Sequence, residues 1–279
     1  MKTILVPTDF SKSANNATDY AVKLAEEFNM NLLLLHIFHV PIVPPLDIPV
    51  NINTIEDIQK EKEDALKRKA TAIKNNHKIT VNYLAKMSFA VDGILDEKAD
   101  LIVMGMQGAT HLSDVLMGSI TTSVLRESKI PVFVIPEKSK YKKPIKIVFA
   151  CDFDYKKNTN AYDTLKEFAE KFDAKIAVLS VTESKQLETV EEVRAGKKLE
   201  KSLMGLEHEY FFHTNENIVE EINELVTDQR ADMVAIIPHK RSMIENLFHK
   251  SISKKLAFNT QVPLFVIPDN YKSTAPIFI

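Results

Sequence analysis

A seven-residue stretch near the middle of the chain returns near its end. Ile130-Pro131-Val132-Phe133-Val134-Ile135-Pro136 reappears as Val262-Pro263-Leu264-Phe265-Val266-Ile267-Pro268. The copies stand 132 residues apart, and the same offset reaches back to Ala99-Asp100, which matches Ala231-Asp232. Ile4-Leu5-Val6-Pro7-Thr8-Asp9-Phe10 likewise faces Ile147-Val148-Phe149-Ala150-Cys151-Asp152-Phe153. A repeat of this length confines the chain to a duplicated architecture. Its 279 residues suit two ordinary domains better than one large one. The polar run Glu137 to Lys143, with four lysines, marks the seam and reads as a solvated linker. The expected domains are therefore 1–140 and 141–279.

Within each half, short apolar strands alternate with helices. Ile4 to Val6 and Leu32 to Ile37 are continuous apolar runs, as in strands buried on both faces. Between them, Ala14, Ala17, Ala21, Leu24, Ala25 and Phe28 keep helical spacing, with Ser11 or Ser13 available as the cap. Thr54 to Asn75 predicts a long amphipathic helix, Thr80 to Ala85 a strand, and Asp92 to Lys98 a short helix. Leu101 to Met104 and Val132 to Ile135 are further strands, with a helix over Ser119 to Glu127 between them. This alternation predicts an α/β fold: two tandem doubly wound domains, each a mainly parallel five-stranded sheet flanked by helices. Ligands of such sheets sit beyond the carboxyl ends of the strands, where the strand order reverses.

Composition narrows the function classes. A formal net charge of -2 argues against wrapping nucleic acid or clamping an anionic membrane. The single cysteine, Cys151, cannot form an internal disulfide and suits a reducing, cytoplasmic compartment. The longest apolar run, Leu32 to Val40, is interrupted by His36 and His39 and is far short of a bilayer span. His208 and His213 lie near Glu207 and Glu209, but strand alternation would divide that set between two faces.

The main chemical signal follows Leu101 to Met104. Gly105-Met106-Gln107-Gly108 is followed by nine residues and then by Gly118-Ser119 at a helix start. Three of the chain's six glycines fall here. A glycine after a strand permits a tight turn and close backbone approach to a ligand. A helix start offers free N–H groups and a positive dipole end, which suit phosphate. A backbone conformation reserved for glycine is expected at Gly118. The other reading, that these glycines serve only turns and a helix cap, stays open at this point.

Val6-Pro7-Thr8-Asp9-Phe10-Ser11, Leu35-His36-Ile37, Ala99 to Gly105 and the glycine spacing together resemble universal stress proteins. The whole chain is similar to the tandem form of that family, whose fold is adenine nucleotide alpha hydrolase-like. The resemblance implies a cytoplasmic stress-response or regulatory protein that binds ATP, with Mg²⁺. It places Gly105, Gly108, Gly118 and Ser119 at the phosphates, with Thr121 beside them. It places Asp9 at the ribose and the Ile37 backbone at the adenine. It also implies that the closing strands of the two halves pair within the chain, with a homodimer of chains as a further option. A slow ATPase or phosphotransferase on the same site, and a nucleotide-free scaffold, are the alternatives.

The second half departs from the motif. The offset sets Ile237 at the place of Gly105, Lys240 at that of Gly108, and Lys250-Ser251 at that of Gly118-Ser119. Asp152 keeps the position of Asp9. Side chains there would obstruct the phosphates, so a single site per chain is expected, in the first half.

Overall fold

The computed structural model describes residues 2–39, 52–108, 117–151, 159–182, 190–215, 217–238, 261–272 and 276–278. The first domain runs β1 (Thr3–Pro7), α1 (Lys12–Phe28), β2 (Asn31–Phe38), α2 (Ile52–Asn76), β3 (Val81–Met87), α3 (Ala90–Leu95), β4 (Leu101–Gly105), α4 (Ser119–Glu127) and β5 (Val132–Ile135). The second runs β6 (Lys146–Ala150), α5 (Thr159–Phe172), β7 (Lys175–Thr182), α6 (Val190–Leu203), β8 (His208–Thr214), α7 (Ile218–Gln229), β9 (Met233–Ile236) and β10 (Leu264–Val266).

Local sequence accounts for much of this. In β1, Ile4 and Val6 enter one core cluster and Leu5 the other, so alternate residues serve opposite faces of the sheet. Helix α1 begins where the Ser11 hydroxyl oxygen accepts from the Ala14 N–H at 3.1 Å. It ends at Asn29, in the left-handed region at φ 49°. Two elements differ from the sequence expectation. Strand β3 continues to Met87, and α3 starts at Ala90 rather than Asp92. The residues around each boundary are weakly patterned, and pairing with β2 over Leu32–Phe38 carries β3 onward.

The ten strands form one sheet in the order β3-β2-β1-β4-β5-β10-β9-β6-β7-β8. Every neighbouring pair is parallel except β5 with β10. Each half thus has the doubly wound order of five strands, and the halves join through their closing strands. In that seam Phe133 faces Phe265, its own repeat equivalent, while Val132 faces Val266 and Val134 faces Leu264. A residue facing its own equivalent is the mark of a local two-fold relation. The Phe133 and Phe265 rings stack at 4.2 Å and 11°. Phe28 at the end of α1 meets Phe172 at the end of α5, edge to face at 5.5 Å. Phe168 joins them, touching Phe133, Phe265 and Phe278. Aromatic packing of this kind adds about 0.5–1.5 kcal/mol per pair beyond area burial.

The linker is more tightly held than its composition suggests. The buried Asn16 amide donates to the carbonyls of Pro136 and Ser139 at 2.9 and 2.7 Å. Tyr141 packs edge to face on Tyr20 at 5.0 Å. Lys143 pairs with Glu27, and Lys142 with Asp232. These partners are remote in sequence, so a local reading of a lysine-rich run could not find them.

Asp100 and Asp232 perform equivalent tasks. Asp100 accepts from the Thr3 N–H at 2.8 Å, and Asp232 accepts from the N–H groups of Ile145 and Lys146 at 2.7 and 3.2 Å. Each carboxylate fastens the start of its domain's first strand to the start of its fourth. Burial alone would raise the Asp232 carboxyl. Hydrogen bonds from Lys142 and the two backbone N–H groups outweigh that and hold it below the usual range.

Candidate functional site

In the first domain the strand order reverses between β1 and β4, and a cleft with a cavity of about 160 Å³ opens beyond their carboxyl ends. All seven residues singled out from the sequence line it: Asp9, Ile37, Gly105, Gly108, Gly118, Ser119 and Thr121. They come from four segments of chain that only this topology brings together.

The loop after β1 is heavily fastened. Thr8 donates its N–H to the Leu35 carbonyl at 2.8 Å, and His36 Nδ1–H donates to the Thr8 carbonyl at 2.7 Å. The Phe10 N–H bonds Thr8 Oγ1, and the Asn15 amide bonds the Phe10 carbonyl. Phe10 sits at φ 63°, a left-handed conformation uncommon for a bulky residue. The surrounding hydrogen bonds hold it there. Asp9, exposed at the rim, accepts from the Ser11 N–H at 3.0 Å through Oδ1, which fixes its carboxylate over the cleft.

The three glycines answer to different constraints. A Cβ on Gly105 would stand 2.4 Å from Ser13 Oγ and 3.0 Å from the Ser13 carbonyl carbon. Gly105 is therefore needed for α1 to close on β4, whatever occupies the cleft. A Cβ on Gly108 would come within 3.0 Å of Asp9 Oδ2, so this glycine lets the two loops meet. Gly118 caps α4 at φ -64° and ψ 148°. Any residue adopts that conformation, so the expected glycine-only backbone is not found there. A Cβ at Gly118 would make only ordinary contacts, the nearest at 3.6 Å.

Helix geometry leaves the first N–H groups of α4 without intrahelical acceptors, and Gly118 brings no side chain to cap them. Ser119 stands exposed at this end. Thr121 is buried, and its hydroxyl donates to the Gly105 carbonyl at 3.0 Å, tying α4 to the end of β4. The opposite wall is apolar, formed by Leu35, Ile37, Ala90, Ile94 and Met104.

Three positions have roles that the sequence reading did not assign to them. The Ser13 hydroxyl is buried against Gly105 without a hydrogen-bond partner among the described residues. His36 anchors the Thr8 loop. Gly93 lies in α3, where a Cβ would meet Ile37 Cδ1 at 2.6 Å. A glycine inside a helix costs about 1 kcal/mol against alanine, and that anomaly was a usable signal for Gly93.

The second domain fills the corresponding region differently. Ile237, at the place of Gly105, is buried. The repeat offset carries Gly93 onto Leu225, also buried, and α3 onto 222–227, so α7 begins a full turn earlier. In that added turn burial would raise the Glu221 carboxyl. Hydrogen bonds from Asn215 and His213 hold it low instead. Asp152, Lys240, Arg241, Lys250 and Ser251 lie outside the described residues. His208 and His213 bond different carboxylates, Glu200 and Glu221. Among the described residues, no group of three or more His, Cys, Asp or Glu is arranged to hold a metal.

A family model, described as the universal stress protein family, matches residues 1–136 and again 145–268. The chain belongs to the universal stress protein family. It carries two copies of the domain in tandem. Universal stress protein MJ0577 of Methanocaldococcus jannaschii is 30% identical over 156 residues, which is 50% of this chain and 96% of that relative. A universal stress protein from Archaeoglobus fulgidus shares the fold over nearly the full length. Its TM-score is 0.70 at 18% identity, covering 96% of this chain and 98% of the other. A universal stress protein solved in complex with cAMP is 24% identical and covers 48% of this chain and 96% of its own, with a TM-score of 0.37.

Proposed function

We propose that the first domain binds an adenine nucleotide, ATP with Mg²⁺, and that the second domain is a structural partner without such a site. The supporting observation is the convergence on one cleft of a glycine loop, an uncapped helix N-terminus and an apolar wall. The N-terminal N–H groups of α4 and the Ser119 hydroxyl would hold phosphate oxygens. Asp9 would accept from ribose hydroxyls, and the wall containing Ile37 would take the base. The tight approach of Gly108 to Asp9 keeps the floor between base and phosphate low. The metal would supply charge neutralisation at the phosphates, with a carboxylate and a hydroxyl, Asp9 and Ser119, as the available oxygen donors.

The chain would act in the cytoplasm as a stress-response or regulatory protein whose nucleotide state alters its partners. The buried Cys151 fits a reducing compartment. No helix among the described residues is long and apolar enough to cross a membrane. A domain boundary near residue 140 is part of this reading, and the β5–β10 seam is proposed to persist in solution in place of pairing between separate chains.

The test is Gly118→Lys, which copies the second half's residue. The backbone at 118 accepts lysine, so the fold should survive while the side chain crowds the cleft. Calorimetry should show ATP binding lost with the melting temperature unchanged. Unaltered affinity would remove the α4 terminus from the site.

A further inference from the structure

We infer that Gly93 sets the size of base the cleft takes, by positioning Ile37. Gly93 is not among the described residues lining the cleft, so it acts through its neighbour and is a positioning residue. With glycine there, the cleft favours a two-ring purine over a one-ring pyrimidine. The inference rests on the nucleotide reading above and adds a base selectivity to it.

The observation is steric. Gly93 is buried in α3, where a Cβ would stand 2.6 Å from Ile37 Cδ1, 3.3 Å from Ile37 Cγ1 and 3.0 Å from Ser88 Cβ. Ile37 thus occupies space that any other residue at 93 would claim. Ile37 also lines the cleft, together with Ala90 and Ile94 from α3. A β-branched side chain has few rotamers into which to retreat, and close-packed interiors offer few voids. Displaced from α3, the tip of Ile37 moves into the open space it borders, which is the cleft. It then takes room from the wall proposed to hold the base.

The second domain carries the converse pair. Strand pairing sets Ile4 beside Leu32 and Ile147 beside Ile176, so Val181 is the equivalent of Ile37. The repeat offset puts Leu225 at the place of Gly93. Helix α3 packs on β2, and α7 packs on β7. Leu225 is buried and Val181 partly buried in one core cluster, to which Ile37 also belongs. The half without the glycine motif therefore has the larger residue on the helix and the smaller on the strand. The half with the motif has no side chain on the helix and the larger residue on the strand. Volume has been moved from the helix to the strand, and only the strand residue borders the cleft.

The experiment is calorimetry of the full chain with ATP and with CTP, both with Mg²⁺. Wild type, Gly93→Ala and the double variant Gly93→Ala with Ile37→Val are compared. Wild type should bind ATP more tightly than CTP. Gly93→Ala should weaken ATP by at least about tenfold, as one surplus methyl group in an apolar pocket does, and weaken CTP less. Alanine is also the better helix former, so the melting temperature should hold. Ile37→Val removes Cδ1, the atom nearest the added Cβ, and should restore most of the ATP affinity. A fault of folding at position 93 would not be rescued in this way, because the close approach to Ser88 remains. Unchanged ATP affinity in Gly93→Ala, or a loss that Ile37→Val does not rescue, would overturn the inference. So would equal affinities of wild type for ATP and CTP. Should Gly93→Ala melt well below wild type, Ile37→Val alone decides. It should raise the affinity for an ATP enlarged by a benzyl group on the amino nitrogen of its base, relative to ATP. An unchanged ratio would overturn the inference. If wild type binds neither nucleotide, the nucleotide reading itself fails and this inference goes with it.

Discussion

The two domains share strand order and the carboxylate that fastens their first strands, yet they differ at the strand ends. In the first, Gly105 lets α1 approach β4 and Gly93 leaves room for Ile37. In the second, Ile237 and Leu225 stand buried at the matching positions. Helix α7 also begins a turn earlier than α3. The parts common to both halves hold the sheet together. The parts found only in the first half surround the cleft. Within one chain, the repeat therefore sets residues that both halves use to hold the sheet beside residues that line the cleft of one half, with Gly105 serving packing as well as the cleft.

The seam offers the largest effect with which to challenge this comparison. Phe265 is fully buried on the local two-fold, stacked on Phe133 and packed against Phe168 and Phe278. Phe265→Ala should cost about 3–5 kcal/mol, read from urea denaturation. Both halves should lose stability together, because the aromatic cluster belongs to both. A change confined to the second domain would mean that the halves are energetically separate.

Asp232 gives a smaller effect with a pH signature. Its carboxyl is held below the usual range, so it stabilises the fold in its charged form. That contribution is complete above the unfolded value, about 3.9, and declines as pH falls toward the lower folded value. Asp232→Asn should cost about 2–3 kcal/mol at neutral pH. The difference from wild type should shrink below about pH 4. A gap constant down to strongly acidic pH would contradict the hydrogen-bonding account.

Ser13 gives the smallest effect. Its buried hydroxyl finds no hydrogen-bond partner among the described residues. Ser13→Ala should be neutral or stabilising by about 1 kcal/mol, measured by thermal melting. A clear loss of stability would show that the hydroxyl has a structural partner.

Much of the fold was legible because its signals are local. The repeated heptapeptide, the alternation of apolar runs and the Ser11 cap each sit within a few residues. The candidate site residues were legible as a group because their spacing survives in one half and is lost in the other. What escaped depends on partners far along the chain. Lys142 meets Asp232, Asn16 reaches the linker carbonyls, and Gly93 faces Ile37 across the cleft wall. Backbone angles were no easier to foresee. Gly118 takes an ordinary extended conformation, while the bulky Phe10 takes the left-handed one.

The central claim is that one chain holds one nucleotide, in its first domain. Native mass spectrometry of the intact chain titrated with ATP and Mg²⁺ tests it most directly. A single bound nucleotide, lost in Gly118→Lys and retained in a variant altered at Ile237, is the expected result. Two nucleotides per chain, or one that survives Gly118→Lys, would contradict the division of labour between the domains.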